Sequence, residues 1–147
     1  MRLSAFRASA AALALAVAAC HSTPTARLAS LGVEADPDAN GGNATALDIV
    51  FAFTPEAVAA LPATGPEWFE RRAALQADLA ASVAVVHVEL PPGIGAAVTL
   101  PPHHRKAVGV YSFANYIPAP GQARGNLTPY PRMTIRLENK SVSYLQR

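Results

Sequence analysis

Apolar and polar residues alternate along most of the chain after residue 26. A period of two places one face of a β-strand on a core and the other in water. The alternation is clear in four segments, 29–34, 47–53, 84–90 and 133–137, and three further segments are plausible strands, 97–100, 107–113 and 142–145. Prolines separate these segments, and a proline-rich loop extends over 117–131. The pattern predicts a mainly β domain of about seven short strands.

One segment, 67–81, has helical periodicity instead. It is rich in residues that favour helices, and its apolar residues recur at helical spacing at Trp68, Leu75 and Leu79. Thr64 and Glu67 have the spacing of a capping box, and Pro66 lies near the first turn, where its missing N–H costs little. We therefore predict one amphipathic helix that lies across a sheet, with Trp68 in the core. The predicted fold is a sandwich of two antiparallel sheets with this helix added.

The N-terminal residues have the features of a secretory signal. Arg2 and Arg7 precede an apolar stretch, 8–19, that is too short to cross a bilayer as a stable helix. The sequence Val-Ala-Ala-Cys that ends at Cys20 resembles a bacterial lipobox, which implies cleavage before this cysteine and its acylation. More than one acyl chain gives stable membrane anchoring. We therefore predict three segments: a signal peptide over 1–19, a lipidated tether over 20–26 and a β-sandwich domain over 27–147.

Cys20 is the only cysteine, so no disulfide can stabilise the domain. The alternative to acylation is an ordinary secreted protein with a free thiol near its mature N-terminus, in an oxidising compartment where such thiols are uncommon. Removal of residues 1–19 takes away Arg2 and Arg7 and leaves a nearly neutral mature chain. Because no basic run with interleaved aromatic residues remains, we expect no nucleic-acid partner.

Several polar motifs suggest metal sites at first sight. Oxygen-bearing residues alternate at 36–41 as at the start of a calcium loop, but the twelfth position, where such a loop needs an acid, is the apolar Leu47. We predict a turn there and no metal site. His87 and Glu89 share one strand face but would need a third ligand to hold a metal, so solvent exposure is the simpler interpretation. The cluster His-His-Arg-Lys at 103–106 is interpreted as a solvated turn.

The sequence has no arrangement of nucleophile, base and acid that is typical of an enzyme. It contains no Gly-x-Ser-x-Gly, no His-Glu-x-x-His and no second cysteine, and its few acidic residues are scattered. We therefore expect no catalytic residues, no cofactor and no enzymatic activity.

The order of these features resembles that of a known protein family. The features follow one another as a lipobox, a first strand, the Asp-Pro-Asp-Ala-Asn-Gly turn at 36–41, the apolar strand 47–53, the pair Trp68-Phe69 with its helix, Glu-Leu-Pro-Pro-Gly at 89–93, and Ala-Val-Gly-Val-Tyr at 107–111. Over residues 17–114 this order is similar to that of the TssJ (SciN/VasD) family, the outer-membrane lipoproteins of type VI secretion systems.

The resemblance implies both a fold and a role. The family has a transthyretin-like β-sandwich with a helical addition, and its members are not enzymes. They anchor a membrane complex to the outer membrane by binding the periplasmic domain of TssM, a large IcmF-like inner-membrane protein. His21, rather than aspartate, follows Cys20, which by resemblance favours the outer membrane, and the domain would lie on its periplasmic face.

In this family the loop between the first two strands contributes to the contact with the partner, and here that loop spans 36–45. By this resemblance the predicted partner-binding residues are Asp36, Asp38, Asn40, Gly41, Gly42 and Asn43. The loop 117–131 is a further candidate, since loops on a rigid β framework commonly carry binding sites. The alternative hypothesis is a lipoprotein that binds a small ligand or a glycan on a platform of Tyr111, Tyr116 and Tyr130.

Overall fold

Two four-stranded sheets pack face to face in the computed structural model, which describes residues 24–117 and 122–147. The strands are β1 Ser30–Ala35, β2 Thr45–Ala52, β3 Val83–Leu90, β4 Gly95–Ala97, β5 Gly109–Asn115, β6 Gly125–Asn126, β7 Arg132–Leu137 and β8 Val142–Gln146. The predicted signal peptide, the predicted acylation site Cys20, and two loop prolines, Pro118 and Pro120, lie outside the described residues. No helix within the described ranges is long and apolar enough to span a bilayer.

The sheet orders are β4-β1-β7-β8 and β3-β2-β5-β6. Neighbouring strands are antiparallel except for β1 and β7, which run in the same direction with Val33 opposite Ile135. The mainly β sandwich predicted from the alternation is therefore confirmed. The parallel pair is a feature that the alternation could not reveal, because a period of two shows which face a side chain occupies but not which strand lies beside it.

The helical segments between the described strands are α1 Ala39–Gly42, a single irregular turn, α2 Pro55–Ala60, α3 Gly65–Leu79, and two short 3₁₀ turns at Ala80–Ser82 and His104–Lys106. Helix α3 is the predicted amphipathic helix, and the Thr64 hydroxyl accepts a hydrogen bond from the Glu67 N–H at 3.4 Å, as an N-cap does. Helix α2 was not predicted from the sequence, although it begins with a threonine cap as α3 does. The Thr54 hydroxyl accepts from the Ala57 N–H at 3.1 Å, and Pro55 lies in its first turn.

The apolar residues form two layers. The larger layer lies between the two sheets and includes Leu31, Val33, Leu47, Ile49, Phe51, Ile135 and Leu137. The smaller layer lies between the second sheet and the helices α2 and α3, and includes Val50, Ala52, Leu61, Trp68, Leu75 and Phe113. Strand β2 contributes to both layers and is buried on both faces. The expectation that one face of this strand would meet water was wrong, because helix α3 covers it.

Asp48 lies on the helix-facing side of β2 and is fully buried. Its carboxylate accepts hydrogen bonds from Trp68 Nε1 at 2.8 Å and from an Arg72 guanidinium nitrogen at 3.3 Å, and His87 Nδ1 lies 2.6 Å from its other oxygen. The Trp68 indole is also buried, as predicted, and stacks on Phe113 with ring centroids 4.8 Å apart. The carboxylate thus joins helix α3 to two strands of the sheet beneath it.

The same contact revises the interpretation of His87. Its side chain is 48% exposed, as predicted for a residue on the solvent side of β3, but its ring is held by the buried carboxylate of Asp48. Glu89 on the same face is exposed and makes no such contact. The pair His87 and Glu89 is therefore not organised as the beginning of a metal site.

We expect Asp48→Ala to lower the free energy of unfolding by about 2–4 kcal/mol, since it leaves the buried Trp68 N–H without an acceptor and removes the counter-charge of Arg72. Urea unfolding followed by Trp68 fluorescence measures the change. Asp78→Ala, which removes an exposed carboxylate of α3, is the matched control and should change stability by less than about 0.5 kcal/mol. Equal effects of the two substitutions would contradict the anchoring role of Asp48.

Candidate functional site

The strands give the sandwich two distinct ends. Residues 24–29 lead into the start of β1, and we call this the tether end because it continues from the predicted tether. Strand β1 then runs over six residues, about 20 Å, to the opposite end. This second end, the loop end, is formed by residues 36–44, 91–94, 116–117 and 138–141. The predicted partner-binding loop therefore lies at the end of the domain that is distant from the tether.

The loop 36–44 turns through three consecutive residues with positive φ. Asn40, Gly41 and Gly42 have φ of 51°, 64° and 81°. Glycine adopts this region without steric cost, and asparagine adopts it more readily than most other residues. The Asn-Gly-Gly sequence therefore determines the shape of the loop, whose last predicted residue, Thr45, already belongs to β2.

Asn40 lies at the centre of the loop end and is only 1% exposed. Its side-chain oxygen accepts from the Ile117 N–H at 2.8 Å, and its amide nitrogen donates to the Ala44 carbonyl at 3.3 Å. Its backbone N–H donates to the Glu138 carbonyl at 3.1 Å. A single side chain thus connects the loop to the end of β5, while its backbone connects the loop to the hairpin between β7 and β8.

Acidic side chains of the loop end accept hydrogen bonds from side chains on neighbouring strands and loops. Asp36 accepts from Arg136 Nε at 2.9 Å, which raises the pKa of this guanidinium, and Asp38 accepts from the Asn139 side-chain amide at 3.0 Å. The hydroxyls of Ser141 and Ser143 donate to the Glu138 carboxylate and lower its pKa below the usual range. Within the ranges 24–117 and 122–147, no three side chains of the types His, Cys, Asp and Glu lie close enough together to hold a metal ion.

Tyr116 fastens the same hairpin to the end of β5. Its hydroxyl lies 2.9 Å from the carbonyl oxygens of both Glu138 and Ser141 and donates to them. Burial raises the pKa of this hydroxyl to about 12, so it keeps its proton throughout the physiological range. Together with Asn40, this contact makes the loop end a braced surface rather than a set of independent loops.

Two large apolar side chains are exposed beside the loop 36–44. Ile94 is 51% exposed, and its carbonyl accepts from the Ala35 N–H at 2.8 Å just before the loop begins. Ile117 is 71% exposed, and its N–H is the donor bound by Asn40. Ile117 was predicted only as the first residue of the candidate loop 117–131, and Ile94 was not predicted as a binding residue, because neither belongs to an alternating segment. The only signal was the occurrence of a large apolar residue next to prolines and glycines.

The six predicted partner-binding residues differ in their exposure. Asp38, Gly41, Gly42 and Asn43 are exposed, Asp36 is half-buried and paired with Arg136, and Asn40 is buried. All six lie in the loop that follows β1, and the four exposed residues are the accessible ones. The buried Asn40 acts on the shape of the loop.

The three tyrosines of the alternative hypothesis do not form one platform. Tyr111 packs on the helix side of the second sheet, where the Arg124 guanidinium lies 4.6 Å from its ring centre. Tyr116 is buried at the loop end, as described above. Tyr130 packs against the core between the sheets and lines an edge cleft of about 370 Å³ together with Tyr144. A ligand could not stack on all three rings at once.

Comparisons with known proteins give matches of structure but not of sequence. No protein-family model matches the chain, and no curated protein matches it. Among the similar solved structures is the T6SS lipoprotein TssJ1 of Pseudomonas aeruginosa, with a TM-score of 0.63, 15% identity and coverage of 84% of this chain and 98% of that one. Another is Serratia marcescens Lip, a membrane-bound component of the type VI secretion system, with a TM-score of 0.57, 14% identity and coverage of 84% of this chain and 98% of that one. A chain of the structure of the T6SS protein TssM C-terminal domain from EAEC has a TM-score of 0.57, 17% identity and coverage of 80% of this chain and 99% of that one.

These similarities extend over the described domain and nearly the whole of each neighbour. The identities are too low to transfer individual residues, but the arrangement of the sheets and of the added helix is shared. The chain therefore has a TssJ-like fold, as the resemblance in its sequence implied.

Proposed function

We propose that this chain is a non-enzymatic lipoprotein of a type VI secretion membrane complex, which uses its loop end to bind the periplasmic domain of an IcmF-like (TssM) protein. The observation that carries the proposal is the TssJ-like fold, in which the loop 36–44 is braced and exposed at the end opposite the tether. Acylation of Cys20 would hold the tether end at the periplasmic face of the outer membrane. The loop end would then point away from that membrane, towards a partner that reaches across the periplasm.

The composition of the loop end suits a protein partner. Stable interfaces combine a few apolar anchors with a polar rim. Here Ile94 and Ile117 supply exposed apolar area, while Asp38 and Asn43 supply polar groups beside them. Because the loops are tied together before binding, little conformational entropy remains to be lost on association.

Within this proposal Asn40 is a positioning residue. Its hydrogen bonds hold the loop 36–44 and Ile117 in one arrangement, so its effect on binding would pass through the geometry of the exposed residues. The exposed Asn43 differs, since its side-chain amide bonds only to carbonyls of its own loop, those of Asn40 and Gly41.

Binding of the chain from residue 21 to the periplasmic domain of the IcmF-like protein of the same genome, measured by calorimetry, tests the proposal. We expect Ile94→Ser and Ile117→Ser each to weaken binding at least about tenfold, since buried apolar anchors dominate interface energies. Leu145→Ser is the matched control, because Leu145 is another exposed large apolar residue but lies on β8, outside the loop end.

Two other outcomes have clear meanings for this experiment. Binding that both isoleucine substitutions leave unchanged would keep the partner but move the interface away from the loop end. Absence of any binding between two folded proteins would refute the proposed partnership.

We expect Asn40→Ala to lower the free energy of unfolding by about 1–3 kcal/mol, because it removes a buried side chain whose hydrogen bonds to the Ile117 N–H and the Ala44 carbonyl are partly shielded from water. Hydrogen exchange should also accelerate at Ile117 and in residues 41–44. Asn43→Ala is the control and should change stability by less than about 1 kcal/mol, since its side chain is exposed. Unchanged exchange at Ile117 in Asn40→Ala would show that this side chain does not brace the loop.

Acylation is tested separately by Cys20→Ser. The substitution removes the thiol that would carry the thioether-linked lipid, so the protein should lose incorporation of labelled fatty acid and leave the membrane fraction. Retention of the label or of membrane sedimentation by the Cys20→Ser protein would refute the lipid anchor.

A further inference from the structure

The tether end is fixed firmly to the body of the domain. The Ala26 N–H donates to the Ala107 carbonyl at 2.7 Å, and the Arg27 N–H donates to the Thr128 carbonyl at 3.0 Å. Only five residues, 21–25, lie between Cys20 and Ala26, and a fully extended chain over these six Cα-to-Cα steps spans at most about 20 Å. A lipid on Cys20 would therefore keep residues 26, 107 and 128 close to a membrane surface.

Exposed cations surround this attachment point. Arg27 and Arg105 line one shallow cleft beside the tether, Lys106 follows in the same turn, and Arg132 begins β7 next to the start of β1. All four are exposed, and none of them forms an ion pair with a carboxylate among the described residues. The turn that carries two of them is ordered, since the Lys106 N–H donates to the His103 carbonyl at 2.7 Å.

Acidic residues are distributed differently. Asp36, Asp38 and Glu138 belong to the loop end. Glu56 and Asp78 are closer to the tether end, where β2 ends and β3 begins, but they are on the helices α2 and α3, which pack on the outer face of the second sheet. The cleft beside residue 26, which Arg27 and Arg105 line, contains no carboxylate, whereas the loop end carries several acidic side chains.

The segments that form this cationic surface, 24–29 and 98–108, carry no large exposed apolar side chain that could insert into the acyl layer of a membrane. The exposed large apolar residues of the described chain are Ile94, Ile117 and Leu145, and none lies in the segments 24–29 or 98–108. Its chemistry suits the headgroups of anionic phospholipids, whose attraction for lysine and arginine acts only within about one Debye length, 8 Å, of the surface. The short tether would permit these cations to approach within that distance, and their attraction to the headgroups would hold them there.

We propose that Arg27, Arg105, Lys106 and Arg132 form a membrane-facing patch that binds anionic phospholipid headgroups beside the lipid anchor. The patch gives the domain a defined orientation at the membrane, with the loop end directed away from it. This inference rests on the proposed lipid anchor, but the patch itself is tested without it.

Co-sedimentation of the non-acylated chain from residue 21 with vesicles provides the test, because the anchor then makes no contribution. Both apolar layers lie within residues 26–144, so this chain retains the complete core. We expect binding to vesicles of phosphatidylglycerol and phosphatidylethanolamine at about 0.02 M salt, much weaker binding at about 0.3 M, and none to phosphatidylcholine. Equal binding to anionic and neutral vesicles would overturn the proposal.

Charge-reversal substitutions test whether the proposed patch is the surface that binds the vesicles. The double substitution Arg105→Glu with Lys106→Glu should reduce binding to the anionic vesicles at least about fivefold. The double substitution Arg71→Glu with Lys140→Glu changes the net charge by the same amount, at exposed sites on α3 and the loop end. It should reduce binding to the anionic vesicles less than about twofold. Equal losses in the two variants would show that net charge alone, rather than this surface, attracts the membrane.

A further readout separates this inference from the proposed function. The Arg105→Glu, Lys106→Glu protein should bind the IcmF-like domain in solution as tightly as the parent chain does, since its changes lie at the opposite end from the loops. Lost partner binding in this variant, with an unchanged circular dichroism spectrum, would contradict the separation of the two surfaces. A parent chain that binds vesicles as expected but not the IcmF-like domain would refute the partnership and leave the patch standing.

Discussion

The helical side of the molecule depends on the burial of strand β2 on both faces. The inner face of β2 packs between the sheets, and its outer face would expose apolar residues and Asp48 unless α3 covered it. Burial of a carboxylate is unfavourable unless polar partners surround it, and the partners here come from α3 and β3. The position of α3 is thus determined by directional hydrogen bonds to the Asp48 carboxylate as well as by apolar packing.

Strand direction separates the two surfaces to which we assign functions. Strands β1 and β7 both begin at the tether end and finish at the loop end, so their following loops meet there. Asn40 and Tyr116 then join those loops to the end of β5. A rigid sandwich between the two surfaces would allow a membrane at one end and a protein at the other without interference between them.

Much of the fold was predictable because strands and helices leave local periodic signals. Six of the seven predicted strand segments overlap observed strands over most of their length, and helix α3 was expected from the spacing of Trp68 and Leu75. The seventh segment, 97–100, overlaps β4 only at Ala97, because β4 is Gly95–Ala97. The short helix α2 and the two-residue strand β6 were not expected, since neither is long enough to show a period. A helix across one sheet was predicted, but the burial of both faces of β2 was not. The outer face of β2 carries both Asp48 and Val50, and this mixture resembles that of a strand with one face in water.

The local features of the candidate site follow from residues that are neighbours in the chain. The lipobox-like sequence, the Asn-Gly-Gly turn and the threonine caps are of this kind, so each can be recognised along the chain. The positions of Ile94 and Ile117 beside the loop 36–44, and of Arg27 next to Arg105 at the tether end, are established only by the folded structure. These neighbours are brought together by strand pairing and loop packing between segments far apart in the chain, and local periodicity contains no information about which distant segments meet.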